Sequence, residues 1–146
     1  MSKDLKIISE ILMSLVKSTQ ITQTVIVDQN GLPITSWDEK VGKLSDETEN
    51  RISALVASVF LLSEKTSNIF NQGIMQQMFI KNERGKILIT NINDQSLIII
   101  VMKRNAPEAL TLLQLKKACE KLKKLDILNP IIEVSKDTSI FIPDID

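Results

Sequence analysis

From Leu5 to Thr19 the apolar residues Leu5, Ile8, Leu12, Leu15 and Val16 return at helical spacing, while Lys3, Asp4, Lys6, Glu10 and Lys17 take the other faces. The pattern predicts an amphipathic first helix. It then turns extended: residues 22–28 and 32–37 predict two strands, the first favoured by β-branched Thr24, Val25, Ile26 and Val27. Between them Asn30-Gly31 is a hairpin signal, since both residues tolerate the positive φ of a tight turn, and Leu32-Pro33-Ile34 starts the return strand. After the charged loop "DEKVGK", Ser45-Asp46-Glu47 sets acidic groups against the free amides of a helix start, and helical periodicity runs to about Phe70. Asn71-Gln72-Gly73 stops it. Further strands are predicted at 74–81, 86–92 and 96–102; their short connections, residues 82–85 and Asn93-Asp94, make them antiparallel neighbours. "LIIIVM" has lost alternation, as a strand covered on both faces does. Pro107 opens a last helix through Leu125, carrying Leu112, Leu115, Cys119 and Leu122 along one side. The result is an α+β domain, order αββαβββα, over residues 1–125. Residues 126–146 form an extension with two short apolar runs around a polar middle, expected to dock or to form a strand.

The second helix is apolar on too many sides. At 100° per residue Ile52, Leu55, Val56, Val59, Leu62 and Thr66 share one face, suited to lie on a sheet. The opposite face carries Ala54, Ala57 and Leu61, with Phe60 at its margin, and "ALVASVFLL" contains no charge. One sheet covers only one side of a helix, so the other side is expected to meet a second polypeptide, small alanines permitting close approach. The alternative is that the first or last helix of the same chain packs there. The next segment, "IMQQMFIK", is placed at a sheet edge where it can pair with the same strand of a partner, unless Lys81 merely blunts it. The expected interface is therefore Ala54, Ala57, Ser58, Phe60, Leu61, Met75, Gln77 and Phe79, with Asn30, Gly31 and Pro33 as structural turn residues.

Composition narrows the chemistry. The 146 residues suit one domain, and Lys plus Arg equals Asp plus Glu at 18 each, so no net field steers the chain toward nucleic acid or an anionic membrane. The N-terminal stretch has no signal-peptide pattern, which predicts a cytoplasmic protein. The lone Cys119 excludes an intrachain disulfide, and the lack of histidine removes the commonest general base and metal ligand. Cys119, on an apolar stripe, reads as a core thiol. Gly42-Lys43 and Gly85-Lys86 lack the flanking residues of a phosphate-binding loop. Asp28, Asn30 and Glu39 hold three EF-hand positions, but Leu32 and Pro33 fall where an oxygen ligand and the required glycine belong. Paired carboxylates such as Asp38-Glu39 and Asp46-Glu47 mark turns and helix starts rather than an acid–base pair. Lysines 116, 117, 121, 123 and 124 read as a solvated helix face, and sparse aromatics argue against base stacking. No catalytic residue, cofactor or metal is expected, and Trp37 is read as a packing residue.

The element order, together with "VIVDQNGLPITS" and "GKILITNINDQSLIIIVM", resembles the Roadblock or dynein light-chain domain family over residues 4–125. The most specific part is the strand-turn-strand bearing Asp28, Gly31, Leu32 and Pro33. The resemblance implies a five-stranded antiparallel sheet with the long helix on one face and the two terminal helices on the other. It also implies homo- or heterodimers joined through that helix and an edge strand. Family members are non-enzymatic: dynein cargo-adaptor subunits, lysosomal-type scaffolds holding Ras-like GTPases, and bacterial polarity proteins that stimulate such a GTPase. The favoured expectation is a dimeric scaffold or regulator of a small Ras-like GTPase. The alternatives are a motor or cargo adaptor without GTPase linkage, and a ligand-sensing module of PAS or GAF type, which needs an internal cavity with convergent polar groups.

Overall fold

The computed structural model describes residues 2–125. The expectations for residues 126–146 lie outside the described residues. In chain order the elements are α1 (Ser2–Ser18), β1 (Ile21–Asp28), β2 (Pro33–Asp38), α2 (Asp46–Ile69), β3 (Gln77–Lys81), β4 (Gly85–Asn93), β5 (Ser96–Lys103) and α3 (Glu108–Leu122). The five strands form one antiparallel sheet in the order β2-β1-β5-β4-β3. The central β5 is buried from Ser96 to Ile100 and again at Met102, as its unbroken apolar run predicts.

Alternation along the strands divides the core into two layers. Ile26, Leu88, Ile92, Ile98, Ile100 and Met102 project to one face, where they meet Ile8, Leu12, Leu15 and Val16 of α1 and Leu115, Ala118, Cys119 and Leu122 of α3. Val25, Val27, Ile89, Leu97 and Ile99 project to the other, against Ile52, Val56 and Phe60 of α2. Burial drives the Cys119 thiol up to about 11, so it is an apolar filler at neutral pH. Trp37 packs against the α1 and α3 layer.

Two boundaries and one turn differ most from the sequence pattern. The predicted strand at 74–81 begins only at Gln77. Side chains of β4 take over before that point: Asn91 Nδ2 donates to the Met75 carbonyl and Thr90 Oγ1 to the Gln76 carbonyl, each at 3.1 Å, in place of a backbone ladder. In the β1–β2 turn only Gly31 has positive φ (+87°); Asn30 does not share it. The reversal is held by the Asp28 carboxylate, whose Oδ1 accepts from the amides of Asn30 and Leu32 at 2.9 Å each. The last helix ends at Leu122, with turn hydrogen bonds continuing to Leu125. As expected, α2 stops at Asn71, which takes the left-handed conformation at φ 56°, followed by Gly73.

Between β2 and α2 the loop is organised by Asp38. Its Oδ2 accepts from Gln23 Nε2 at 2.6 Å and its Oδ1 from the amides of Lys40 and Val41 at 2.8 and 3.1 Å. Burial of the carboxylate works against its charge, but these hydrogen bonds and the nearby Lys40 ammonium outweigh it and hold its pKa below the usual carboxylate range. At the other end of the sheet, the hydrogen bond from Lys86 at 2.7 Å likewise lowers the pKa of Glu108, joining the start of α3 to β4. Both carboxyls titrate lower in the folded state than in the unfolded chain, so their stabilisation is present above the unfolded pKa and is lost as pH falls through the folded value. The urea midpoint is expected to drop below about pH 4, and Asp38→Asn should flatten that drop. An unaltered acid limb in the variant would refute the assignment.

Thr24 is fully buried on the α1 side, opposite Trp37 and Ile100, and its Oγ1 has no hydrogen-bond partner among the described residues. A buried hydroxyl without a partner forfeits its hydration for nothing in return. Thr24→Val keeps the shape and β-branching while removing that group. A gain in unfolding free energy of about 1 kcal/mol is expected, measured by urea denaturation.

Candidate functional site

Among the described residues the exterior of α2 is the surface that the fold leaves bare. Its phase is set at the first turn. Ser45 caps the helix, its Oγ accepting from the Thr48 amide at 3.2 Å. One turn further on, the side chain of Glu49 is only 5% exposed and points at β2, where Ser36 Oγ donates to Glu49 Oε2. Ser36 Oγ in turn accepts from the Leu44 amide at 3.0 Å. Lys43 Nζ donates to Glu49 Oε1 and to Asp46 Oδ1, both at 3.2 Å. Burial disfavours the Lys43 ammonium, yet its hydrogen bonds to these two carboxylates prevail and raise its pKa.

With Glu49 and buried Ser53 facing the sheet, Ile52, Val56 and Phe60 follow on the same side. The expected sheet-facing stripe is thereby rotated by about a quarter turn. Leu55, Leu62 and Thr66, assigned to the sheet, are exposed instead, and Val59 lies at the border. Leu55 is 67% and Leu62 64% accessible, and the stripe continues to Ile69 at 77%.

Of the residues expected at an interface, Ala54, Ser58 and Leu61 are exposed and line one cleft beside the β1–β2 turn. Ala57 is half-buried at the same place: a Cβ built on Gly31 would stand 3.2 Å from the Ala57 Cβ. The turn therefore docks on α2 as well as closing the sheet corner. Met75 and Gln77 line a second groove with Val59 and Leu62, between α2 and the edge strand β3. Phe60 and Phe79 are half-buried, Phe60 lining the first cleft beside Ala57 and Leu61. Phe60 packs toward the α2 side of the sheet, and Phe79, alternating with Met78 and Ile80, points to the opposite face against the α1 and α3 core. Pro33 is the first residue of β2, the other edge.

The sequence reading missed Leu55, Leu62, Ile69 and Ile74 as surface residues. The stripe Ile52, Val56, Phe60 was available as an alternative phase; a buried Glu49 paired with Ser36 carries no signal in a hydropathy pattern. The first cleft, of about 630 Å³, is open to solvent and mixes turn amides and carboxamides with the alanines of α2. It is a surface groove rather than the enclosed chamber a ligand-sensing module requires. Among the described residues no group of three His, Cys, Asp or Glu is placed to hold a metal, and no helix is long and apolar enough to cross a membrane.

A three-layer α+β domain, with one long helix alone on one sheet face, two helices on the other and, among the described residues, an open edge strand beside the long helix, defines the class. Residues 7–102 match the Roadblock/LC7 domain, and the chain belongs to that family. An uncharacterized protein of Methanocaldococcus jannaschii is 25% identical over 118 residues, spanning 81% of this chain and 98% of that protein. The gliding protein MglB of Thermus thermophilus has the same fold, with TM-score 0.73 at 16% identity over 84% of this chain and 90% of its own. Myxococcus xanthus MglB gives TM-score 0.71 at 18% identity, over 80% and 92% of the two chains.

Gly31 combines two constraints, a positive φ that β-branched residues resist and a tight approach to Ala57. Gly31→Val is expected to lower stability by roughly 2–3 kcal/mol, read as a fall in melting temperature. An unchanged melting temperature would exclude both constraints.

Proposed function

We infer that the chain is a non-enzymatic scaffold that dimerises through the outer face of α2 and the edge of β3, and that the dimer binds a small Ras-like GTPase. The observation that carries this reading is the continuous exposed apolar stripe Leu55, Leu62 and Ile69 beside a strand edge that no described residue pairs. Burying each such side chain contributes roughly 1–2 kcal/mol, so three from each of two copies reach the scale of the ~4–15 kcal/mol that association costs. Exposed alanine and serine at 54 and 58 let a second helix approach closely, and an antiparallel β3–β3 pairing would continue the sheet across the two copies. The GTPase as partner is supported by the family resemblance and by the likeness in fold to MglB; the partner's own chemistry is not written in any side chain of the groove.

Light scattering coupled to size exclusion tests both parts. The wild-type chain should elute as a dimer, and Leu62→Lys, which places a charge in the stripe without touching the core, should shift it to the monomer mass while leaving its circular dichroism unchanged. Mixed with Ras-like GTPases loaded with GDP or a GTP analogue, the dimer should retain one nucleotide form. A monomer at high concentration removes the dimer, and a dimer that ignores both nucleotide forms moves the assignment to an adaptor without GTPase linkage.

A further inference from the structure

On the face opposite α2, the outer surface of α1 and α3 carries a third groove, of about 350 Å³. Its floor is apolar, with Ile7, Ile11, Leu15 and Ala118, and its charged lining residues are Lys117 and Lys121 against one carboxylate, Glu10. Leu110 and Leu113, also on α3, are half exposed nearby. Charge is distributed in a way that singles out this layer. α1 and α3, taken through Lys124, hold eight lysines against four carboxylates, whereas residues 19–107 hold nine of each sign. The whole cationic excess of residues 1–125, four charges, therefore sits on these two helices.

Residues 126–146 have the complementary make-up: five carboxylates against Lys136 alone, a deficit of four, interleaved with the apolar runs Ile131, Ile132, Val134 and Ile140, Phe141, Ile142. They depart from this same face, because Leu125 packs against the α1 and α3 core. Twenty-one residues can reach roughly 70 Å when extended, about three times the ~22 Å length of the 15-residue α3. Asn129-Pro130 supplies a turn signal close to the exit point, where the chain must reverse.

We propose that residues 126–146 fold back within the same chain over the groove between α1 and α3, setting their apolar runs on Ile7, Ile11 and Leu113 and their carboxylates against Lys117 and Lys121. The segment then acts as an intramolecular strap that neutralises the basic layer. It leaves α2 and the β3 edge untouched, so it is independent of what those elements bind. An edge-strand addition at β3 would gain backbone hydrogen bonds but would meet a smaller cationic excess, since residues 74–93 hold Lys81, Arg84 and Lys86 against Glu83.

Hydrogen exchange on the full-length chain tests the strap. Amides of residues 131–142 should be protected at 0.1 M salt, independently of protein concentration. That protection should fall about tenfold or more at 1 M salt, where the Debye length shrinks from about 10 Å to about 3 Å. Lys117→Glu with Lys121→Glu, both solvent-facing changes, should abolish the protection, and adding Asp144→Lys with Asp146→Lys should restore it. Tail amides exchanging without protection in the wild type would overturn the proposal. So would protection that grows with concentration, which means capture by another copy, or protection unmoved by the groove variants but lost in Leu62→Lys, which means docking on the α2 side.

Discussion

A buried carboxylate sets the terms for this domain. Glu49 cannot be left unpaired in the space between α2 and the sheet, because an isolated buried charge costs several kcal/mol. It is satisfied only in one rotational setting of the helix, where Ser36 of β2 donates to one oxygen and Lys43 to the other. Ser36 is fixed in turn by the Leu44 amide, so strand, loop and helix start share one hydrogen-bonded unit. Once that setting is chosen, the 100° step of the helix decides everything downstream: Val56 and Phe60 go in, and Leu55, Leu62 and Ile69 go out. The bare apolar face is a consequence of the polar anchor, and a hydropathy wheel drawn without the anchor places the wrong leucines against the sheet.

Length adds to the effect. Five strands at about 4.8 Å spacing make a sheet roughly 19 Å across, while the 24 residues of α2 extend about 36 Å. Even along the nine-residue β4, about 30 Å long, the helix exceeds the sheet it lies on. The last turns overhang, which is why Ile69 and Phe70 remain in solvent although their residue types suit a core. On the opposite face two helices share the load, α1 over β1 and β2 and α3 toward β4, and the large apolar residues left exposed there are Leu110 and Leu113.

The element order was readable because each element obeys its own local rule: period 3.6 in α1, loss of alternation in β5, and a left-handed stop at Asn71. What local rules do not carry is the choice made between elements. That Asn91 and Thr90 cap the carbonyls before Gln77, and so shorten β3, depends on which strand lies alongside. The direction of Phe79 depends on the strand's register, and one residue of register reverses every side chain. The β1–β2 turn was recognised from Asn30-Gly31, but its actual fastening is the Asp28 carboxylate, and its second role as a cushion for Ala57 is visible only when α2 is in place.

The two faces of the domain therefore differ in the kind of contact they can make. The α2 face offers apolar area and a strand edge that no described residue pairs, interactions that salt scarcely weakens and that are indifferent to the charge of whatever approaches. Selectivity there must come from shape, from alanines that admit only a closely approaching helix, and from strand register. The α1 and α3 face offers a shallower apolar floor ringed by lysines, where long-range attraction selects an anionic segment and ionic strength sets its hold. A chain of zero net charge has in this way separated its charges by position, with the balance hidden in the sum. The separation lets one sheet present two surfaces whose occupancies respond to different conditions, since the core layers that support them are distinct clusters joined only through the strands between.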